Sequence, residues 1–124
     1  MKVLISSGSR GEWGYYAPII KEFSKQNIDY DVMSMNMAPL DEFGNLSRQL
    51  RLAGETPKYE IYCSYHGGSH YSMAKSYASL SSSVADILHN NSYDWVLMAG
   101  DRFEQLAVAS ISSLMYVPSC HIQA

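Results

Sequence analysis

The sequence predicts an α/β fold, a doubly wound parallel sheet with helices on both faces, and three observations carry that prediction. Short apolar runs alternate with longer stretches in which apolar residues recur every third or fourth position, as in strands joined by helical crossovers. At 124 residues the chain has the size of one domain with one core, and it contains neither an internal repeat nor a linker. Its composition, 47% hydrophobic and 17% charged, is that of an ordinary globular protein.

Lys2–Ser6 reads as the first strand, ended by the loop Ser7-Gly8-Ser9-Arg10-Gly11. A helix is expected from about Tyr15 to Gln26, with Ile19, Ile20 and Phe23 facing the sheet. Pro18 then falls early in that helix, where proline costs least. Tyr30–Asn36 reads as the second strand. Asn45–Gly54 predicts a short helix carrying Leu46, Leu50 and Leu52, with Gly54 as its stop. Tyr59–Tyr65 reads as the third strand. Met73, Tyr77, Leu80, Val84, Ile87 and Leu88 form an apolar stripe on a long helix. Asp94–Ala99 is the fourth strand, and Arg102–Met115 a helix with Leu106, Ala109, Ile111 and Leu114 available for its buried side. Pro118–Ile122 is the fifth strand.

Right-handed crossovers leave few arrangements of five such strands, and the Rossmann-like order 3-2-1-4-5 is the expected one. Strands 1 and 4 are then neighbours whose following helices lie on opposite faces, which opens a crevice at their carboxyl ends. Ser7–Gly14, Gly100–Arg102 and His121–Ala124 border it. Cys63 and Cys120 fall on strands at opposite edges, too far apart for a disulfide, so both are expected as free thiols.

Several function classes are disfavoured. The net charge is -3 and the nine basic residues are scattered, which argues against a nucleic-acid or anionic-membrane surface. No run approaches the ~20 apolar residues of a membrane span. The first residues, Met1–Ser6, lack the features of a secretory signal, so a cytoplasmic protein is expected. His66 and His70 have a metal-compatible spacing only if helical; the glycines between them favour a loop, and no metal is expected.

Gly8, Gly11 and Gly14 stand three apart between the first strand and its helix. Glycine there allows backbone amides to approach a phosphate at a helix N-terminus, and Arg10 offers a charged fork for a diphosphate. The alternative is a tight turn with a solvated arginine. The spacing is not that of a dinucleotide fingerprint, and no cofactor is expected. In Gly100-Asp101-Arg102-Phe103-Glu104, Asp101 and Glu104 match a capping box. An aspartate in such a position is more often a cap; the sharper reading makes Asp101 a general acid or base held at the crevice. Trp13, Tyr15 and Tyr16 are candidates for stacking or for packing. Lys75 and Arg48 read as solvated helix charges.

Together these segments resemble the hydrolysing UDP-N-acetylglucosamine 2-epimerases. Gly8-Ser9-Arg10-Gly11-Glu12-Trp13-Gly14 with Ala17-Pro18-Ile19-Ile20 resembles the family's opening motif. Gly100-Asp101-Arg102-Phe103-Glu104 with Leu106-Ala107 is similar to its second motif, and Val117-Pro118 with His121-Ile122-Gln123-Ala124 to the third. Met73-Ala74-Lys75-Ser76 resembles a weaker pattern.

The resemblance implies the N-terminal half of a two-domain, glycosyltransferase-B type fold that binds a UDP-sugar between its domains, in a homo-oligomeric full-length protein. It implies Asp101 as an acid/base residue and Gln123 beside it. Gly8, Arg10, Arg102 and His121 would bind substrate. Gln123 stands where the commonest pattern has glutamate, and an amide cannot exchange a proton near neutral pH. Two other readings remain: a non-catalytic nucleotide-binding module and a nucleotide-sugar glycosyltransferase.

Overall fold

The computed structural model describes residues 1–36, 39–41, 44–52, 54–65 and 67–123; the side chain of Arg10 also lies outside the description. Its elements are β1 Lys2–Ser7, α1 Arg10–Lys25, β2 Asp29–Met35, α2 Leu46–Leu52, β3 Tyr59–Ile61, α3 His70–Asn90, β4 Trp95–Ala99, α4 Phe103–Leu114 and β5 Ser119–Ile122. The sheet is parallel throughout and ordered β3-β2-β1-β4-β5, as the crossover rule requires.

Alternation along the central strands sorts the core into two layers. Leu4, Met33, Met35, Val96 and Met98 pack against Leu80, Val84 and Leu88 of α3 and Ala107 and Val108 of α4. Val3, Ile5, Val32, Leu97 and Ala99 pack against Tyr16 and Ile20 of α1 and Leu46 and Leu50 of α2. The topological switch therefore falls between β1 and β4, which pair directly from Val3↔Trp95 to Ile5↔Leu97. At the opposite end of the sheet, Asp31 is clamped by Tyr93 at 2.5 Å, Lys2 at 3.2 Å and Lys58 at 3.3 Å.

Several sequence expectations are corrected. α1 starts at Arg10, so Gly11 and Gly14 are helical and only Gly8 lies in the strand-to-helix turn. Pro18 consequently sits inside α1, on its exposed side, where it supplies no N–H to the carbonyl of the preceding turn. β3 ends at Ile61, because Asn36 leaves the strand with a φ of 57° and β2 offers no further edge. Cys63 thus follows β3 rather than lying on it; both cysteines are free thiols. On α4 the buried set is Glu104, Gln105, Ala107, Val108 and Ser112, while Leu106 and Leu114 are exposed. Ala109 and Ile111 do pack, partly buried, against the core. Met73 and Leu52 are exposed. Gly54 does end α2, with Glu55 N–H on Leu50 O at 2.8 Å.

Candidate active site

The crevice at the carboxyl ends of β1, β4 and β5 is built from the inside outward by buried polar groups. Ser6, the penultimate residue of β1, donates its hydroxyl to Gln105 Oε1 at 2.8 Å, and Tyr16 donates to the Ser6 carbonyl at 2.6 Å. Gln105 returns an N–H to Ser6 O at 3.2 Å and reaches Glu12 Oε2 at 3.0 Å. Glu12, in the first turn of α1, also accepts the Gly8 amide at 2.6 Å. Gly8 is thereby held against α4: a Cβ there would lie 3.2–3.3 Å from three carbons of Glu104. Glycine at this position is a close-approach requirement.

Glu104 is fully buried and forms the second hub. Asn36 Nδ2 donates to its Oε1 at 2.5 Å, and the Arg102 guanidinium grips both oxygens, with contacts at 3.0, 3.1 and 3.2 Å. Asn36 in turn accepts the Ser64 hydroxyl, which ties β3's end to the site. Burial pushes the neighbouring Cys63 thiol up to about 11, away from the thiolate form that a nucleophile needs.

The site residues expected from sequence fall around this framework in different ways. Asp101 is exposed at the mouth and is not the helix cap: Arg102 occupies the N-cap position of α4 and makes no side-chain cap bond. Gly100 before it has a φ of 85°, a left-handed conformation that turns the chain out of β4 into the mouth. Arg102 is committed to Glu104, with its side chain 40% exposed on the outer side. His121 donates through Nε2 to the Gly100 carbonyl, so it braces the loop that carries Asp101. Gln123 is exposed beyond β5, with a φ of 56°. The Gly8 amide, expected to meet a phosphate, is instead taken by Glu12, because a glutamate in the first turn can reach back to it. Arg10 opens α1, but its side chain lies outside the described residues, as do His66 and Ala124. Of the aromatic candidates, Tyr16 is buried, Trp13 packs edge-on against it and Tyr15 is exposed.

Sequence reasoning missed Glu12, Asn36 and Gln105, and read Glu104 only as half of a cap. A signal existed for Glu104, a charged residue on the same helical stripe as Val108 and Ser112. Neither α1 nor α4 has a side-chain cap at the end facing the crevice, whereas α3 carries a full Ser69–Ser72 capping box. Uncapped first-turn amides at a crevice favour an anion. Among the described residues no group of three or more His, Cys, Asp or Glu could hold a metal ion, and no helix is long and apolar enough to cross a membrane.

Burial pushes the Glu12 carboxyl up from 4.5 to about 7; the Gly8 amide opposes the rise and the charge of Glu104 adds to it. Between those values the folded chain holds a proton that the unfolded chain has released. Stability should therefore fall as the pH rises from 4.5 to about 7 and level off above. Urea midpoints measured across this range should show the decline, and Glu12→Gln should flatten it.

Residues 21–124 match the family described as UDP-N-acetylglucosamine 2-epimerase. The GDP/UDP-N,N'-diacetylbacillosamine 2-epimerase (hydrolyzing) of Campylobacter jejuni is 25% identical over 122 residues, covering 98% of this chain and 32% of its own length. The polysialic acid biosynthesis protein P7 of Escherichia coli is 27% identical over 124 residues, covering 98% and 31%. The crystal structure of the Neisseria meningitidis UDP-GlcNAc 2-epimerase bound to UDP-GlcNAc superimposes with a TM-score of 0.81 at 26% identity, covering 100% of this chain and 32% of that one. The chain thus spans about a third of the length of these relatives, and its sheet corresponds to the N-terminal half of the glycosyltransferase-B type fold. A match running through four of its five strands, on a sheet that overlays a solved epimerase from end to end, makes the chain a member of the UDP-N-acetylglucosamine 2-epimerase family.

Proposed function

We propose that the full-length protein carrying this chain is a hydrolysing UDP-N-acetylglucosamine 2-epimerase, or acts on a closely related UDP-sugar, and that residues 1–124 form its N-terminal domain. The observation that carries this reading is the convergence of the three motif segments on one crevice. Gly8 and Arg10 after β1, Gly100–Arg102 after β4 and His121–Gln123 at the end of β5 lie at adjacent strand ends, and His121 is bonded to Gly100.

The chemistry has two stages. A base removes the proton at sugar C2 while the C1–O bond to UDP breaks, leaving a glycal and UDP. Water then adds its oxygen to C1, and C2 is protonated on the opposite face, giving the 2-epimer. Asp101, exposed at the mouth, has the ionisable group for one of these proton transfers. Gln123 hydrogen-bonds a sugar hydroxyl or the acetamido group. Arg10 and the uncapped N-terminus of α1 face the diphosphate.

Incubating the full-length protein with UDP-N-acetylglucosamine should yield N-acetylmannosamine and UDP, followed by proton NMR. Unchanged substrate would exclude this sugar nucleotide, and transfer of the sugar with retained configuration at C2 would identify a glycosyltransferase. Arg10→Ala should weaken UDP binding ~10-fold or more, with the thermal midpoint of the unliganded protein unchanged. An equal loss of midpoint would make Arg10 a structural residue. Gln123 is the one observation favouring a module that binds nucleotide without turning it over.

A further inference from the structure

The chemistry proposed above leaves Glu12 unused, although it is a buried carboxyl at the crevice. It is 4% exposed and lies under two loops at once. Oε2 accepts hydrogen bonds from the Gly8 amide and from Gln105, whereas Oε1 has no hydrogen-bond partner among the described residues. That second oxygen sits beneath Gly100, 3.9 Å from where a Cβ would be. The reciprocal contact is the packing of Glu104 against Gly8. Each loop of the crevice therefore rests on a glutamate from the other loop's helix: the Gly100 turn on Glu12 of α1, the Gly8 turn on Glu104 of α4.

The charges around Glu12 determine which protonation state suits an anion. Glu104 and Arg102 face it from the start of α4, and Tyr16 faces it from its own helix. Among the described residues Arg102 is the cation that faces Glu12, and it is already paired with Glu104, so ionising Glu12 sets two carboxylates against that one guanidinium behind the two loops. An oxygen without a donor, in a buried place, disfavours that charge on its own account. A diphosphate arriving at the loops disfavours it further.

We propose that Glu12 is a positioning residue that is neutral when an anionic diphosphate is bound: Oε2 fixes the Gly8 amide, and Oε1 carries a proton beneath Gly100, so that both loops close on the anion with no buried negative charge behind them. This rests on the nucleotide-sugar reading of the same crevice. The lift of the Glu12 carboxyl to about 7 makes the proton available near neutral pH. By linkage, diphosphate binding then takes up a proton, and affinity falls as Glu12 ionises.

Calorimetry with UDP on the full-length protein tests this, comparing wild type with Glu12→Gln, which copies the neutral carboxyl in shape. The two should bind equally at about pH 6, and Glu12→Gln about tenfold more tightly at about pH 8.5, the size expected for one charge across a partly screened site. Titration of UDP itself is common to both proteins and cancels in the ratio. A ratio that stays constant with pH would overturn the role of Glu12 while leaving the nucleotide reading intact. Failure of wild type to bind UDP at either pH would overturn the nucleotide reading and this proposal with it. Should Glu12→Gln not fold, proton uptake by wild type decides: repeating the titration at about pH 8 in buffers of different ionisation enthalpy should show net uptake on binding. Zero uptake would overturn the proposal.

Discussion

Replacing Asp101 with Asn in the full-length protein is expected to lower turnover of UDP-N-acetylglucosamine by ~10²-fold or more, with a change in unfolding free energy below about 1 kcal/mol. The stability half of this expectation follows from the position of the residue. Asp101 is exposed, one residue before the Arg102 N-cap of α4, and belongs to the turn that Gly100 creates with its left-handed backbone. Asn has the same shape and tolerates the same surroundings. The activity half follows from chemistry, since a group that passes a proton to or from C2 must ionise and an amide does not. Steady-state UDP release together with thermal melts would measure both. Turnover within a few-fold of wild type would remove Asp101 from the reaction. Accumulation of the glycal in the variant would place it in the second, hydration stage.

The largest loss of stability is expected at Glu104. Glu104→Ala should cost about 3 kcal/mol, because it removes the acceptor shared by Asn36 and Arg102 and empties a fully buried position against Gly8. The figure lies at the low end for a broken buried pair, since the Arg102 side chain is 40% exposed and water can take over part of its hydration. For a domain of this size the thermal midpoint should drop by roughly 10 °C. Arg102→Ala should cost less, and the double variant less than the sum of the two, because they act on one interaction. A Glu104→Ala loss under about 1 kcal/mol in denaturant titrations would show that the hub does not hold the crevice together.

The order of the sheet and the topological switch between β1 and β4 were legible in the sequence. They depend on alternation, on helical periodicity and on the handedness of crossovers, which act on every segment of the chain alike. The three motif segments were legible for a related reason, being short stretches with Gly8, Gly100 and Pro118 at their turns. What the tertiary structure alone decided was the use made of individual polar residues. Asp101 and Glu104 have capping-box spacing, yet Glu104 turns inward to Asn36, a residue 68 positions away in sequence, and the cap passes to Arg102. Gly8 offers an amide suited to phosphate, yet Glu12 takes it, and Gln105 joins them from 93 residues further along. Local spacing records which partners a residue can reach within its own turn. Whether a carboxylate faces water, a helix end or a buried amide depends on which distant strand arrives beside it, and at this crevice β1, β2 and β4 arrive together.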